Sequence, residues 1–212
     1  MTRQKDDSAP IVFVIDDDTS VRDAMSSLFR SVGLKVELFA SPAEFLRAPR
    51  VDGPSCLVLD VRLPGLSGLD FQSDLDRAGI HIPIVFMTGH GDIPMAVKAM
   101  KAGAVEFLSK PFRDQDMLDA VRAAFASDFA RRERDKTATQ LRANFEKLTA
   151  REQEIMALVA AGLMNKQIAA EIGVSEITVK FHRGNVTRKM GARSIAELVR
   201  MADMLGLRRD RA

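Results

Sequence analysis

The stretch IVFVIDDD, from Ile11 to Asp18, joins an unbroken apolar run to three consecutive carboxylates. Five apolar residues in a row are typical of a strand that is covered on both faces, as in a parallel sheet between two layers of helices. The carboxylates then follow the C-terminal end of that strand. In a doubly wound sheet this is the edge at which binding sites form. The stretch therefore predicts the fold of the N-terminal half and the place of its chemistry.

Strand and helix signals alternate on the C-terminal side of this stretch. Apolar runs predict strands at 11–15, 35–39, 56–59, 84–87 and 105–108. Between them the 3.6-residue pattern and capping signals predict helices at 19–32, from 41, at 67–78, at 93–102 and from 114. Five βα units in this order predict an α/β fold, a doubly wound five-stranded parallel sheet with helices on both faces.

The composition changes after residue 125. Residues 126–146 contain no proline or glycine and are rich in alanine and charged residues, which predicts a solvated helical linker. Intermittent apolar residues at helical spacing leave a dimeric coiled coil as an alternative. These residues are Phe125, Phe129, Leu141, Phe145 and Leu148.

The remaining segment is predicted to be all-α with four helices. Capping boxes open at Thr149 and Ser194, and the helices predicted at Asn165–Ile172 and Glu176–Met190 flank Gly173 in the layout of a helix-turn-helix. The spacing of the second helix predicts an inward face formed by Val179, His182, Val186 and Met190. The opposite stripe includes Lys180, Arg183, Gly184 and Thr187. From the residues alone, a solubilising charged face and a DNA-reading helix remain equal alternatives.

Charge separates the two halves. Residues 1–127 have 14 basic and 18 acidic residues, a net charge of −4, whereas residues 128–212 have a net charge of +6. The basic half is therefore the candidate for a polyanionic partner. The single cysteine, Cys56, excludes an intrachain disulfide and is expected to pack in the core. The sequence has no signal peptide and no apolar run of the roughly 20 residues that span a bilayer, which predicts a cytoplasmic protein without a membrane partner.

Complementary polar groups end four of the predicted strands. Asp16 and Asp17 follow the first strand, Asp60 the third, Thr88 the fourth and Lys110 the fifth. Converging carboxylates repel one another unless a cation lies between them, and an incomplete set of oxygen ligands suits Mg²⁺. Asp60 is then a candidate nucleophile toward a phosphoryl group, with Thr88 donating a hydrogen bond and Lys110 neutralising charge. His90, nearby in sequence, is interpreted as a loop residue rather than a proton donor or metal ligand.

Four stretches resemble the receiver domains of two-component systems: VIDDD (14–18), LDVRLPGLSG (59–68), FMTG (86–89) and SKPF (109–112). The stretch TGHGDIPMAV (88–97) is similar to the FixJ-like subgroup. The sequence departs from the common receiver pattern at Leu63, where methionine is commoner. The resemblance implies a flavodoxin-like fold and a cis Lys110–Pro111 bond. It also implies that Asp60 is the phosphoacceptor and that Lys110 contacts the phosphate. Mg²⁺ would be bound by the side chains of Asp17 and Asp60, by the backbone carbonyl of Arg62 and, through water, by Asp16. The implied switch residues are Thr88 and Phe107.

Three stretches resemble LuxR-type DNA-binding domains: LTARE (148–152), GLMNKQIA (162–169) and VSEITVKFHR (174–183). The resemblance implies that Glu176–Met190 is the recognition helix. It places Lys180, Phe181 and Gly184 at the DNA groove, and it makes phosphate contacts of Asn165, Lys166, Arg183 and Arg188.

The two resemblances together imply a phosphorylation-dependent transcriptional regulator, an activator rather than a repressor. A sensor histidine kinase would phosphorylate Asp60 with Mg²⁺. The face at 93–108 would then form a homodimer or release the DNA-binding domain, with promoter DNA and RNA polymerase as further partners. The implied domains are a receiver at 10–125, the linker at 126–146 and a LuxR-type domain at 147–206, with disordered ends at 1–9 and 207–212.

Two other classes of function remain as alternatives. A phosphatase resembling haloacid dehalogenases would need a second acid two residues after its nucleophile, where this sequence has Arg62. The chain is therefore not expected to be an enzyme beyond its own phosphoryl transfer and slow dephosphorylation. The second alternative is a receiver whose helical half docks on protein rather than DNA.

Overall fold

The computed structural model describes residues 9–49, 53–89 and 93–207. The chain divides into two compact units, Met1–Arg132 and Glu133–Ala212. The predicted disordered ends lie outside the described residues except for Ala9 and Leu207, and His90 lies outside them too.

The elements of the first unit in chain order are β1 (Ile11–Ile15), α1 (Thr19–Ser31), β2 (Lys35–Phe39), α2 (Pro42–Arg47), β3 (Ser55–Asp60), β4 (Arg62–Leu63), β5 (Leu66–Ser67), α3 (Gly68–Arg77), β6 (Ile84–Thr88), α4 (Ile93–Lys101), β7 (Glu106–Ser109) and the start of α5 (Asp114–Glu146). The unit contains the predicted five-stranded parallel sheet, and the strand order of that sheet is β2-β1-β3-β6-β7.

Alternate residues of the central strands enter two separate cores. Phe13 and Ile15 of β1 pack on one face of the sheet, whereas Val12 and Val14 pack on the other. Because side chains alternate across a strand, an unbroken apolar run has this arrangement when helices cover both faces. Cys56 is fully buried in the second of these cores, and burial raises the pKa of its thiol.

The antiparallel hairpin of β4 and β5 is a feature that the sequence analysis did not predict. It pairs Arg62 with Ser67 and Leu63 with Leu66. Strands of two residues are too short to show a periodic pattern. The signal was the pair Pro64-Gly65, because proline followed by a glycine of positive φ, here 81°, is typical of a tight turn.

Helix α5 is continuous for 33 residues, and the predicted linker lies within it. The first compact unit extends along it to Arg132. Asp128, which is fully buried, accepts hydrogen bonds from the backbone N–H of Ser55 at 3.0 Å, from Arg131 at 2.5 Å and from Arg132 at 2.7 Å. This carboxylate therefore ties α5 to the start of β3.

The second unit contains the four predicted helices, α6 (Ala150–Ala160), α7 (Asn165–Ile172), α8 (Glu176–Met190) and α9 (Ile195–Met204). Leu141 and Phe145, from the end of α5, pack against its core. The bounds of α7 and α8 agree with the prediction. Among the described residues, no helix is both long enough and apolar enough to cross a bilayer.

Candidate functional site

Asp16 and Asp60 lie side by side at the C-terminal edge of the sheet, because β1 pairs with β3 and matches Ile15 to Leu59. Both residues are buried, with 1% and 7% of their surface exposed. The Lys110 ammonium lies between them, with its Nζ 2.7 Å from Asp16 Oδ2 and 2.8 Å from Asp60 Oδ2. The structure thus brings together three of the predicted site residues.

The backbone orients each carboxylate. Asp16 Oδ1 accepts a hydrogen bond from the N–H of Asp18 at 2.9 Å, and Asp60 Oδ1 accepts one from the N–H of Arg62 at 2.8 Å. Arg22, which the sequence analysis did not single out, donates from Nη1 to the backbone carbonyl of Asp16 at 2.7 Å. Each carboxylate therefore presents its second oxygen to Lys110.

Charge and burial oppose each other in this crevice. Burial raises the pKa of Asp16 above its ordinary value, and the hydrogen bonds from Lys110 and Asp18 offset this only in part. Burial would lower the pKa of Lys110, but its hydrogen bonds to Asp16 and Asp60 outweigh that effect and raise it. The lysine is therefore held as a cation between two buried acids.

The three consecutive carboxylates have three different environments. Asp16 enters the crevice, Asp17 is exposed, and Asp18 is the N-cap of α1, accepting a hydrogen bond from the N–H of Ser20 at 2.8 Å. Within the described part of the chain, no group of three or more acidic, histidine or cysteine side chains is arranged to hold a metal. The crevice nevertheless fits Mg²⁺, since its carboxylate oxygens are ligands of that ion and they already hold one cation, the Lys110 ammonium.

Thr88 and Phe107 lie on the two strands beside this crevice. Thr88 is fully buried at the end of β6, and its backbone carbonyl accepts a hydrogen bond from the N–H of Lys110 at 2.7 Å. Phe107, on β7, is half-buried, with its ring centroid 6.3 Å from that of Phe86. The Lys110–Pro111 bond is cis, as predicted.

Gly68, at the start of α3, lies against the backbone of Asp60, a close contact that the sequence did not predict. A Cβ added to Gly68 would lie 2.4 Å from the backbone oxygen of Asp60 and 3.1 Å from Cα of Val61. The glycine also donates its N–H to the carbonyl of Val61 at 2.9 Å. A side chain there would push on the backbone that positions Asp60.

We expect Gly68→Ala to destabilise the first unit by roughly 1–3 kcal/mol, because the backbone of β3 must shift to remove the overlap. Urea unfolding followed by circular dichroism measures this change. Gly184→Ala is the matched control: a Cβ at Gly184 has no atom within 4 Å, and alanine is the better helix former. Equal stability of Gly68→Ala and the unsubstituted chain would contradict the prediction.

The helix-turn-helix consists of α7 and α8. Gly173 ends α7 with a positive φ of 68°, a conformation that glycine adopts without strain, and Ser175 caps α8 by accepting a hydrogen bond from the N–H of Thr178. The side chains of Val179, Val186 and Met190 are buried and pack into the core of the unit. The opposite face of α8 is consequently open to solvent.

The predicted DNA-contacting residues occupy this face and its border with α7. The exposed ones are Lys166, Lys180, Phe181, Gly184 and Arg188. Three others are half-buried: Arg183 donates to the Asn165 side chain and thereby links α8 to α7, while the Thr187 hydroxyl donates to the backbone carbonyl of Arg183 at 2.9 Å.

Glu152 and Lys189 form an ion pair that the sequence analysis did not predict. Lys189 Nζ lies 2.6 Å from Glu152 Oε2, and Glu152 is 3% exposed. Glu152 also completes a capping box with Thr149. Burial would raise the pKa of Glu152, but the hydrogen bonds from Lys189 and Thr149 outweigh it, so the pKa lies below its ordinary value.

This shift makes the stability of the second unit depend on pH. Because the folded-state pKa is the lower one, the pair stabilises fully above the unfolded pKa of about 4.3. The contribution is lost as the pH falls through the folded-state pKa. We expect Glu152→Gln to cost about 1–3 kcal/mol at neutral pH and progressively less below about pH 4. Thermal melts at both pH values measure the difference.

Glu154→Gln is the control for this prediction, since Glu154 pairs with Arg151 at the exposed surface. Such pairs contribute at most about 1 kcal/mol. A deficit of Glu152→Gln that is the same at neutral and acidic pH would contradict an ionic contribution.

An α/β unit whose main sheet is parallel, with paired acids and a lysine at one edge of that sheet, is followed here by a helix-turn-helix unit, and this combination defines the class of DNA-binding response regulators. The comparisons with known proteins agree. The model of the response regulator receiver domain matches residues 12–122, and that of the bacterial regulatory proteins of the luxR family matches residues 146–202. The chain belongs to the response regulators that have a receiver domain and a LuxR-type domain, and it is a transcriptional regulator of a two-component system.

Individual relatives cover almost the whole chain. Nodulation protein W of Bradyrhizobium diazoefficiens is 61% identical over 197 residues, which are 93% of this chain and 87% of that protein. The transcriptional regulatory protein FixJ of Azorhizobium caulinodans is 42% identical, over 92% of this chain and 93% of its own. The solved structure of the response regulator StyR aligns with a TM-score of 0.80 at 49% identity, covering 92% of this chain and 99% of that one. The chain is thus similar to FixJ-like regulators.

Proposed function

We propose that Asp60 accepts a phosphoryl group from the phosphohistidine of a sensor kinase, and that this controls promoter binding by α8. The supporting observation is the Lys110 ammonium, held between Asp16 and Asp60 at 2.7 and 2.8 Å. It keeps a positive charge beside the carboxylate that reacts. An Asp60 oxygen attacks phosphorus, the O–P bond forms, the N–P bond breaks, and its electron pair stays on the imidazole.

The assigned cofactor is Mg²⁺, held by the Asp17 and Asp60 carboxylates and the backbone carbonyl of Arg62. When bound, the ion supplies positive charge to the transferred oxygens. Asp16 acts through water, as the resemblance to receiver domains implies. Protein groups engage both oxygens of Asp16 and both oxygens of Asp60, but a carboxylate has about four lone-pair sites, so each oxygen can accept a further partner.

Phosphorylation then changes the surface formed by α4 and β7. The Thr88 hydroxyl moves toward the phosphoryl group, and Phe107 turns inward into the space beside it. Dimerisation through this surface is favoured by its exposed apolar side chains, Ile93, Val97 and Met100, which are 81%, 45% and 44% exposed. Their spacing of four and three residues places them on one side of α4.

The helical half binds promoter DNA as part of a symmetric dimer. Lys180, Phe181 and Gly184 lie toward the major groove, while Lys166 and Arg188 contact phosphates. Asn165, Arg183 and Thr187 lie where α7 and α8 meet. Arg183 donates one N–H to Asn165 and has further N–H donors that can bind a phosphate. We assign residues 10–125 to the receiver, 126–146 to the linker and 147–206 to the DNA-binding domain.

The regulator acts as an activator that works with RNA polymerase in the cytoplasm, where kinase and promoter are both accessible. Turnover of added phosphate esters is not part of this proposal. Arg62, two residues after Asp60, has a guanidinium group that stays protonated, so it cannot deprotonate water or protonate a leaving group as a carboxylic acid does. The chain's own reaction is limited to phosphoryl transfer onto Asp60 and its slow hydrolysis.

Removal of the metal tests the first step. We expect labelled acetyl phosphate to phosphorylate the intact chain in the presence of Mg²⁺, and labelling to stop when a chelator is added. Excess Mg²⁺ added after the chelator should restore it, which controls for unfolding. Labelling that persists in chelator would remove the metal from the mechanism, and an absence of labelling under every condition would refute the proposed function.

A further inference from the structure

Two of the most exposed apolar side chains of the described residues lie on α8. Ile177 is 82% exposed and Phe181 is 67% exposed. Phe181 follows Ile177 by four positions, so the two are neighbours on one side of the helix. Val179 and Val186, which face the core, are fully buried on the opposite side. Ile177 and Phe181 are therefore not part of the core of this unit, although the ring of Phe181 contacts that of its neighbour His182, with centroids 5.8 Å apart.

Gly184 continues the same side of α8 by one turn. A Cβ added there has no atom within 4 Å, so the packing of the unit does not require glycine. Inside a helix glycine costs roughly 1 kcal/mol relative to alanine. Because glycine has no side chain, the helix surface is recessed beside Phe181, and another molecule can approach the backbone closely. We call Ile177, Phe181 and Gly184 the apolar stripe.

Cations border the apolar stripe. Lys180 is exposed along one edge, and Arg188 is exposed one turn beyond Gly184. Lysine is depleted at protein–protein interfaces, and residues 128–212 have a net charge of +6, so a polyanionic partner fits these surroundings better than a protein. The major groove of DNA fits both features, because phosphates line it and each thymine places an apolar C5-methyl group in it.

We propose that Ile177 and Phe181 read thymine by contact with its C5-methyl group. Neither side chain has a hydrogen-bond donor or acceptor, so the methyl is the feature of a base edge that they can distinguish. Gly184 permits the close approach that such contacts need. This inference rests on the proposed DNA-binding function, and it adds Ile177 to the residues that determine sequence preference.

The test compares duplexes that differ only in the methyl group. The full chain, treated with acetyl phosphate and Mg²⁺, selects binding sequences from a randomised duplex pool. The enriched duplex is then prepared with thymine or with uracil throughout, and fluorescence anisotropy gives both dissociation constants. We expect uracil to weaken binding about fourfold for each methyl contacted, the equivalent of roughly 0.8 kcal/mol per buried CH₂.

Variants assign the effect to the apolar stripe. Ile177→Ala and Phe181→Ala should weaken binding to the thymine duplex and bring the thymine-to-uracil ratio toward one, whereas Ile177→Val should keep most of it. Met204→Ala, which removes a 62% exposed side chain from α9, should leave the ratio unchanged. The substituted positions are all exposed, so folding should be retained.

Three results would overturn the inference. Equal, salt-dependent binding of both duplexes by the unsubstituted chain would refute methyl reading but leave the DNA-binding function intact. A ratio that survives both alanine substitutions would show that other residues read the methyl. A pool that is never enriched would refute the proposed function, and this inference with it.

Discussion

Asp60→Asn is expected to abolish phosphorylation of the chain by acetyl phosphate. The amide has the shape of the carboxylate but lacks the negative charge and the nucleophilic oxygen that attack on phosphorus requires. Asp60 is 7% exposed and is held by Arg62 N–H and Lys110, so a substitution that keeps its shape should preserve the fold. Intact-mass spectrometry, or incorporation of radioactive phosphate, measures the loss.

The matched control is Asp76→Asn, an exposed carboxylate at the end of α3 outside the crevice. It should be labelled as the unsubstituted chain is. Undiminished labelling of Asp60→Asn would place the acceptor on another residue. Partial labelling that maps by peptide sequencing to Asp16 or Asp17 would mean that the crevice is reactive but that its nucleophile was misassigned.

The second large effect is expected on DNA binding. Lys180→Ala should weaken the affinity for a selected duplex roughly tenfold, since a lysine that contacts a base or phosphate contributes on the order of 1–3 kcal/mol. If Lys180 contacts a phosphate, the slope of log affinity against log salt concentration should also become shallower by about one. Anisotropy titrations at several salt concentrations measure both quantities, and phosphorylation of Asp60 should be unaffected.

Lys136→Ala removes the same charge from an exposed position on α5 and is the control for a general change in net charge. It should alter the affinity much less than Lys180→Ala. Equal effects of the two substitutions would mean that α8 has no privileged role. Binding no steeper in salt than that of a neutral protein would favour the alternative in which the helical half docks on protein.

The sequence predicted most of the sheet and the crevice, because both follow from short-range patterns. The run at 11–15 specified a strand that is buried on both faces, and the parallel arrangement of the strands places their C-terminal ends, where Asp16 and Asp60 lie, at one edge of the sheet. Asp16 and Asp60 could therefore be placed together from the sequence alone. The resemblance added the roles of these residues, which the patterns alone could not supply.

Other features depend on long-range contacts that leave no local trace. Asp128 resembles the other charged residues of α5, yet its burial follows from a contact with Ser55, 73 residues earlier. Glu152 was recognised as part of a capping box, but its ion pair with Lys189 spans 37 residues. Gly68 was recognised within a motif, whereas its closeness to the Asp60 carbonyl follows from the packing of α3 on β3.

The apolar stripe shows a different limit of pattern analysis. Of the residues that the periodicity of α8 marked as inward, Val179, Val186 and Met190 are buried, and His182 is half-buried. Ile177 could not be singled out in the same way, because a single apolar side chain on the surface is ordinary. Only its exposure together with that of Phe181 identifies a surface.

The most direct test of the account is a crystal structure of the full chain with Mg²⁺ and beryllofluoride, an analogue of a bound phosphoryl group. If Asp60 is the phosphoacceptor, we expect density for beryllofluoride on an Asp60 oxygen, with the Lys110 ammonium and the Thr88 hydroxyl against its fluorines and Mg²⁺ beside Asp17. A crevice in which Lys110 still joins Asp16 to Asp60 with neither group bound, or an adduct on a different carboxylate, would contradict it.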